Sequence, residues 1–363
     1  MGEKWSWLSG IYCFFAVIAV FGVGNATQIN AVIGGMNSVI DLLGGQVTTV
    51  GNLLMGAALA VVISMMLLGG AKRIGRIAEH LVPFVSLMYI ILCCGVLICR
   101  YSMIPAAFSN IFQGAFSPKA ITGGVIGSAF QALRIGASRG VFTNEAGMGT
   151  ASIAHASADV QHPVEQGLMG IMEVFLDTIV ICTLTGLVIL CSGVPIPYGT
   201  DEGIVLTTRA FSSIYGNWVR VVIALSLCCF AFATVLGWGL YGARCAQYLF
   251  GENAWKVFVV FQAAAVIVSS VLRTETVWLL SEILNGLMAI PNLIALAWLS
   301  PELRRLTIDY KVRFLGARTR GGTYEDIDQC KPLRTVTYAE ISSVGGRSGE
   351  EGKKDPSFKY RSA

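Results

Sequence analysis

The stretch Gly140-Val141-Phe142-Thr143-Asn144-Glu145-Ala146-Gly147-Met148-Gly149-Thr150 decides how this chain is read. It interrupts a segment that otherwise has the composition of a membrane-spanning helix. It carries an acid, an amide, two hydroxyls and three glycines. Inside hydrocarbon every backbone N–H and C=O needs a partner, so a glycine-rich polar break survives only where it is buried in protein or lines a cavity. A break of this kind points to a binding site, because half-helix ends offer bare amides and carbonyls to small ions and polar ligands.

The rest of the chain agrees with a membrane reading. Of 363 residues, 54% are apolar and only 13% charged, and mean hydropathy is +0.66. Apolar runs of about 20 residues recur, the length a helix needs to cross a bilayer. They predict an all-α polytopic membrane protein of about eight spans, near 6–33, 47–70, 81–99, 121–158 (broken), 166–191, 217–244, 255–272 and 276–299. The first span is too long for a signal peptide and lacks a small-residue cleavage pattern.

Charge divides the chain in two. From Pro301 onward there are 13 Lys/Arg against 9 acids, which leaves 13 of each in residues 1–300. A weak apolar pattern with Ser and Gly predicts a flexible soluble tail over 301–363, after a membrane domain over 1–300. The tail's basic residues are mixed with acids, which argues against nucleic acid as a partner.

The positive-inside rule orients the spans. Lys72, Arg73 and Arg76 follow the second span, and Arg304 and Arg305 follow the eighth. The two markers agree, and both termini are expected in the cytoplasm of a plasma-membrane protein.

Ten cysteines form no framework, and eight of them fall in apolar spans, where Cys acts as a small hydrophobe. His80, His155 and His162 form no HExxH, and no metal spacing occurs. No nucleophile–base pair appears either, so an enzyme is not expected, and no resident cofactor is implied.

Charged residues inside spans need reasons, since each is costly unless paired or hydrated. Glu173 and Asp177 lie at i and i+4 on one face of the fifth span. Arg139 is expected to pair with one of them. Glu145 lies in the break itself, where it either gates a ligand or ion path or holds helices together. In the sixth span, Thr234 and Trp238 project from one face at i and i+4. The hydroxyl and indole suit a cation and a small zwitterion. Equally, Thr234 can bond its own i−4 carbonyl while Trp238 packs. Gln28, near Asn25, Thr27 and Asn30 in the first span, can donate to a carboxylate or bond a neighbouring helix.

Together these motifs resemble the alanine-or-glycine:cation symporters. The similarity lies in Arg139 to Gly149, in Ile153-Ala154-His155-Ala156, and in Phe21 to Asn30. It continues through Val174 to Thr178, Phe230 to Trp238, Tyr241 to Cys245 and Leu284 to Leu293. It covers roughly residues 5–300. The resemblance implies a leucine-transporter-type inverted-repeat fold and sodium- or proton-coupled uptake of alanine or glycine. It implies substrate contacts at Gln28, at the backbone of Asn144, Gly147, Met148 and Gly149, and at Thr234 and Trp238. Thr234 would also be a ligand of the transported cation, with sodium as the coupling ion.

Departures qualify that expectation. The family has a broken core helix and a second core helix before the first span here. The sequence begins after both, so the repeat is expected as three spans plus five, incomplete at the N-terminus. Ala233 stands where many relatives have Ser, and Ser152 where Pro is usual. The chain is therefore expected to be a truncated or split transporter, completed by a separate polypeptide that supplies the missing helices. The alternative is a non-transporting remnant or a membrane assembly partner.

Overall fold

The computed structural model describes residues 5–116, 126–196 and 203–315, and all regular structure among them is helical. Among the described residues, six helices are long and apolar enough to cross a membrane. They are α1 (Ser6–Leu42), α2 (Thr49–Leu67), α3 (Gly70–Cys99), α7 (Pro163–Cys191), α9 (Val219–Phe250) and α11 (Thr274–Leu315). Apolar α10 (Ala254–Ser269) is shorter. Between α3 and α7 lie α4 (Ile104–Phe116), α5 (Ile126–Asn144) and α6 (Thr150–His155). The helix α8 (Gly203–Tyr215) precedes α9.

Each expected span has a helical counterpart, and the fourth is broken between Asn144 and Thr150, where the sequence places the break. Several ends differ. The first span continues to Leu42 rather than 33, the third helix begins at Gly70 rather than 81, and α11 runs to Leu315 rather than 299. Hydropathy marks the part of a helix that crosses hydrocarbon, whereas the helix itself carries on through polar turns such as Lys72 to His80. The expected tail boundary at Pro301 thus falls inside α11, and residues 316–363 lie outside the described residues.

Local sequence explains the ends. Thr48 caps α2 by accepting the Gly51 N–H at 3.0 Å. His162 caps α7, with Pro163 in the first turn where its missing N–H costs nothing. Two helices contain wide π-helical segments, Val20–Ala26 in α1 and Phe175–Cys182 in α7. Such segments are rare and concentrate at functional sites.

The long helix α9 lies at the centre. Its Trp238 and Cys245 join Ala16, Val20 and Val23 of α1, Met148 of the break and Met288 of α11 in one buried cluster. Its Val235 and Leu236 meet Ile63 and Leu67 of α2 and Val266 of α10 in a second. Its Val219 and Ile223 meet Cys93 and Val96 of α3, Val188 of α7 and Phe211 of α8 in a third. Without a hydrophobic drive between helices in lipid, such contacts rest on close packing and small residues. Gly239 illustrates this, since a Cβ there would stand 2.8 Å from both Leu67 and Gln262.

Candidate functional site

The break is built from backbone shapes that side chains rarely adopt. Gly147 and Gly149 have φ of +74° and +81°, and Glu145, a non-glycine residue, has φ +52°. Glycine adopts these angles without steric cost. The Asn144 Oδ1 accepts the Ala146 N–H at 2.9 Å, closing α5 with a side-chain turn. Gly149 caps α6, and the Ser152 hydroxyl donates to its carbonyl at 2.6 Å.

Three helices surround the break. From α11, the Asn292 Nδ2 donates to the Gly147 carbonyl at 2.8 Å. This satisfies an acceptor that the helix interruption frees. A Cβ on Gly149 would meet Asn292 Oδ1 at 2.7 Å and Tyr12 of α1 at 3.0 Å. Met148 is fully buried in the cluster shared with α1, α9 and α11. The Glu145 carboxylate accepts the Thr150 hydroxyl.

Trp238 is 2% exposed. Its Cβ and Cγ crowd Gly24 in the π-helical segment of α1, and its ring meets Tyr241 edge-on at 5.9 Å. The expected contacts Gly147, Met148, Gly149 and Trp238 therefore converge at one place with the Glu145 carboxylate, and Asn144 shapes its outer edge. Thr234, one turn before Trp238, is half-buried and donates to the Phe230 carbonyl at 3.0 Å. That is the local bond a helical threonine makes by default, although its oxygen keeps lone pairs for another partner. Gln28 is half-buried one turn beyond Gly24, and among the described residues no hydrogen bond links it to the break.

The charged residues are arranged differently from expectation. Arg139 pairs with Glu282 of α11 at 3.3 Å, not with Glu173 or Asp177. Its guanidinium also lies 3.7 Å over the Trp278 ring, a cation–π contact that places it toward α11. Glu173 stays 74% exposed, with His155 at 3.7 Å. Asp177 and Thr178 each keep a buried oxygen without a partner among the described residues. A carboxylate left open on a membrane helix belongs against protein or water rather than lipid.

Some contributors carry weak sequence signals. Asn292 follows Pro291 inside an apolar run, and the proline removes an N–H that the helix would use, a local mark of irregularity. Gln262 is fully buried in α10 and donates to Asn25 Oδ1 at 3.2 Å and to the Val235 carbonyl at 3.3 Å. A lone amide in the apolar run 257–268 is its sign in the sequence.

Comparison with known proteins adds to this geometry. Residues 1–319 match the model of the sodium:alanine symporter family. The sodium/alanine symporter AgcS of Methanococcus maripaludis is 38% identical over 291 residues, 80% of this chain and 62% of that protein. The amino-acid carrier protein AlsT of Bacillus subtilis is 31% identical over 84% of this chain and 63% of its own length. The probable sodium/glutamine symporter GlnT of the same organism is 32% identical, with 84% and 61% covered. The chain thus spans less than two thirds of the length of each of these relatives.

Proposed function

From the premise that the chain belongs to the sodium:alanine symporter family, we propose that it forms the greater part of a sodium-coupled symporter for alanine or glycine. The family is one of transporters, so the chain is not an enzyme. The observation that carries the reading is the break at 145–149. Positive φ angles turn the chain through it, Asn292 holds one carbonyl, and Met148 and Trp238 shut one side against water. Half-helix ends so arranged present amides to a carboxylate and carbonyls to a cation.

In this reading the amino acid lies against the Asn144–Gly149 backbone and Gln28, with Trp238 beside it. Thr234 offers its oxygen to the cation. Spans number eight in an inverted-repeat arrangement, and both termini are cytoplasmic, as the Lys72–Arg76 and Arg304–Arg305 clusters direct. The exposed Glu173 carboxylate of α7 supports a further element of the reading. Additional membrane helices, within a longer protein or from a separate polypeptide, cover Glu173 and complete the site.

Uptake of labelled alanine and glycine by cells or proteoliposomes containing the chain, with sodium or potassium outside, tests this. Sodium-dependent uptake supports the proposal. Its absence, when membrane insertion is normal and the covering helices are supplied in trans, favours a non-transporting assembly partner.

A further inference from the structure

The junction between α6 and α7 is held in an unusual way. Residues 156–161 are all exposed, and His162, next in sequence, is 8% exposed. One side chain therefore anchors a connector that otherwise touches little. Its ring partners come from the far end of α11. The imidazole Nε2 lies 3.3 Å from Asp309 Oδ2. The Tyr310 and Phe314 rings lie 5.2 and 5.7 Å from it and stack on each other at 5.0 Å. Arg313 Nε donates to the other Asp309 oxygen at 2.6 Å.

The imidazole has two jobs. Its Nδ1 accepts the Val164 N–H at 3.2 Å, which caps α7. Because Nδ1 accepts, the ring proton sits on Nε2 and is donated to Asp309. Helix α11 thus holds the break at Gly147 through Asn292 and the connector after it at His162 through Asp309. At 1.5 Å per residue, these points are about 25 Å apart along α11.

We propose that His162 and Asp309 form a latch, which ties the connector after the broken segment to the end of α11 and must open when the two halves of the break move apart. The latch's place in a transport cycle rests on the symporter reading; the contact itself does not. A polar bond to one ring is suited to this task. It closes with defined geometry, yet its release exposes only one side chain and two aromatic rings. An apolar seam would have to expose a larger area for the same movement.

Hydrogen–deuterium exchange on the purified full chain in lipid nanodiscs tests the latch without requiring transport. Two variants separate its parts. Asp309→Ala removes the acceptor. His162→Asn keeps a good helix cap but is too short to reach Asp309. Both are expected to speed exchange of the hydrogen-bonded Ser157, Ala158 and Glu165 amides that flank the contact by about tenfold, the scale of one hydrogen bond to a charged group. The double variant should exchange no faster than either single one, since all three break the same contact. Unchanged exchange in both single variants, effects that add in the double, or faster exchange spread through α9 would each overturn the latch. Where wild-type uptake is measurable, the variants should change maximal rate and leave apparent alanine affinity alone. A change in affinity alone contradicts a role in the moving step. If wild-type uptake is absent, the symporter reading fails while exchange still decides the latch.

Discussion

The Asn292 side-chain amide donates to the carbonyl of Gly147 at 2.8 Å, from α11 across to the break between α5 and α6. One residue on either side of this bond explains why it is needed. Gly147 sits at φ +74° between the end of α5 and the start of α6, and Pro291 removes one backbone N–H from α11. The bond fixes the height at which the two helices meet.

Asn292→Ala should therefore destabilise the fold. It leaves a half-buried carbonyl without its donor, at a cost of about 0.5–1.5 kcal/mol. Thermal unfolding in detergent, followed by intrinsic fluorescence, should show a lower midpoint, and Asn292→Asp should be at least as damaging because a carboxylate cannot donate. An unchanged midpoint for both variants contradicts the assigned bond.

Gly24→Ala tests the contact between α1 and α9. A Cβ there would overlap the Trp238 Cβ and stand 2.8 Å from its Cγ. Both atoms are near the backbone, so the strain cannot be relieved by a rotamer change alone. Overpacking of this kind costs about 1–3 kcal/mol. The expected outcome is a lower unfolding midpoint together with altered near-ultraviolet circular dichroism; wild-type behaviour in both would show that the helices are not in close contact.

Thr234 and Trp238 should fail differently. Thr234→Val keeps the shape and removes the oxygen, so the sodium concentration for half-maximal uptake should rise about 2- to 12-fold, matching roughly 0.5–1.5 kcal/mol. Trp238→Leu should instead weaken apparent amino-acid affinity or widen the accepted size range. The reverse pattern, with sodium dependence altered only by the tryptophan change, would rule out these roles.

Much of this arrangement is legible in the sequence. Apolar runs locate the helices, and the cluster of Gly, Asn and Glu at 140–150 marks the break to within a residue or two. Periodicity also puts Thr234 and Trp238 on one face. What it does not carry is partnership across space. The sequence points Arg139 to Glu173 or Asp177, and the packing of α11 with its Trp278 ring decides for Glu282 instead. The polar turns that lengthen α1, α3 and α11 are invisible to hydropathy because they lie outside its apolar windows. Asn292, Gln262 and Asp309 act through helices distant in sequence, and nothing local announces their partners.

Orientation can be checked independently of transport. An impermeant thiol reagent applied to intact cells should leave Cys330 unlabelled and label it after permeabilisation if the proposed orientation, drawn from the clustered Lys/Arg beside the spans, holds. Efficient labelling in intact cells would reverse the topology.

The most direct test of the account compares sodium-driven alanine uptake in the wild type with Gly147→Leu, in membranes where both insert equally and the covering helices are supplied. A leucine at φ +74° is strained, and its Cβ would press within 3.0 Å of Leu293. It also blocks approach of a ligand to the backbone. The account predicts saturable, sodium-dependent uptake in the wild type and loss of at least nine tenths of it, roughly a tenfold effect or about 1.4 kcal/mol, in the variant. Equal uptake by the two proteins at equal expression would contradict the claim that the break at 145–149 is the binding site.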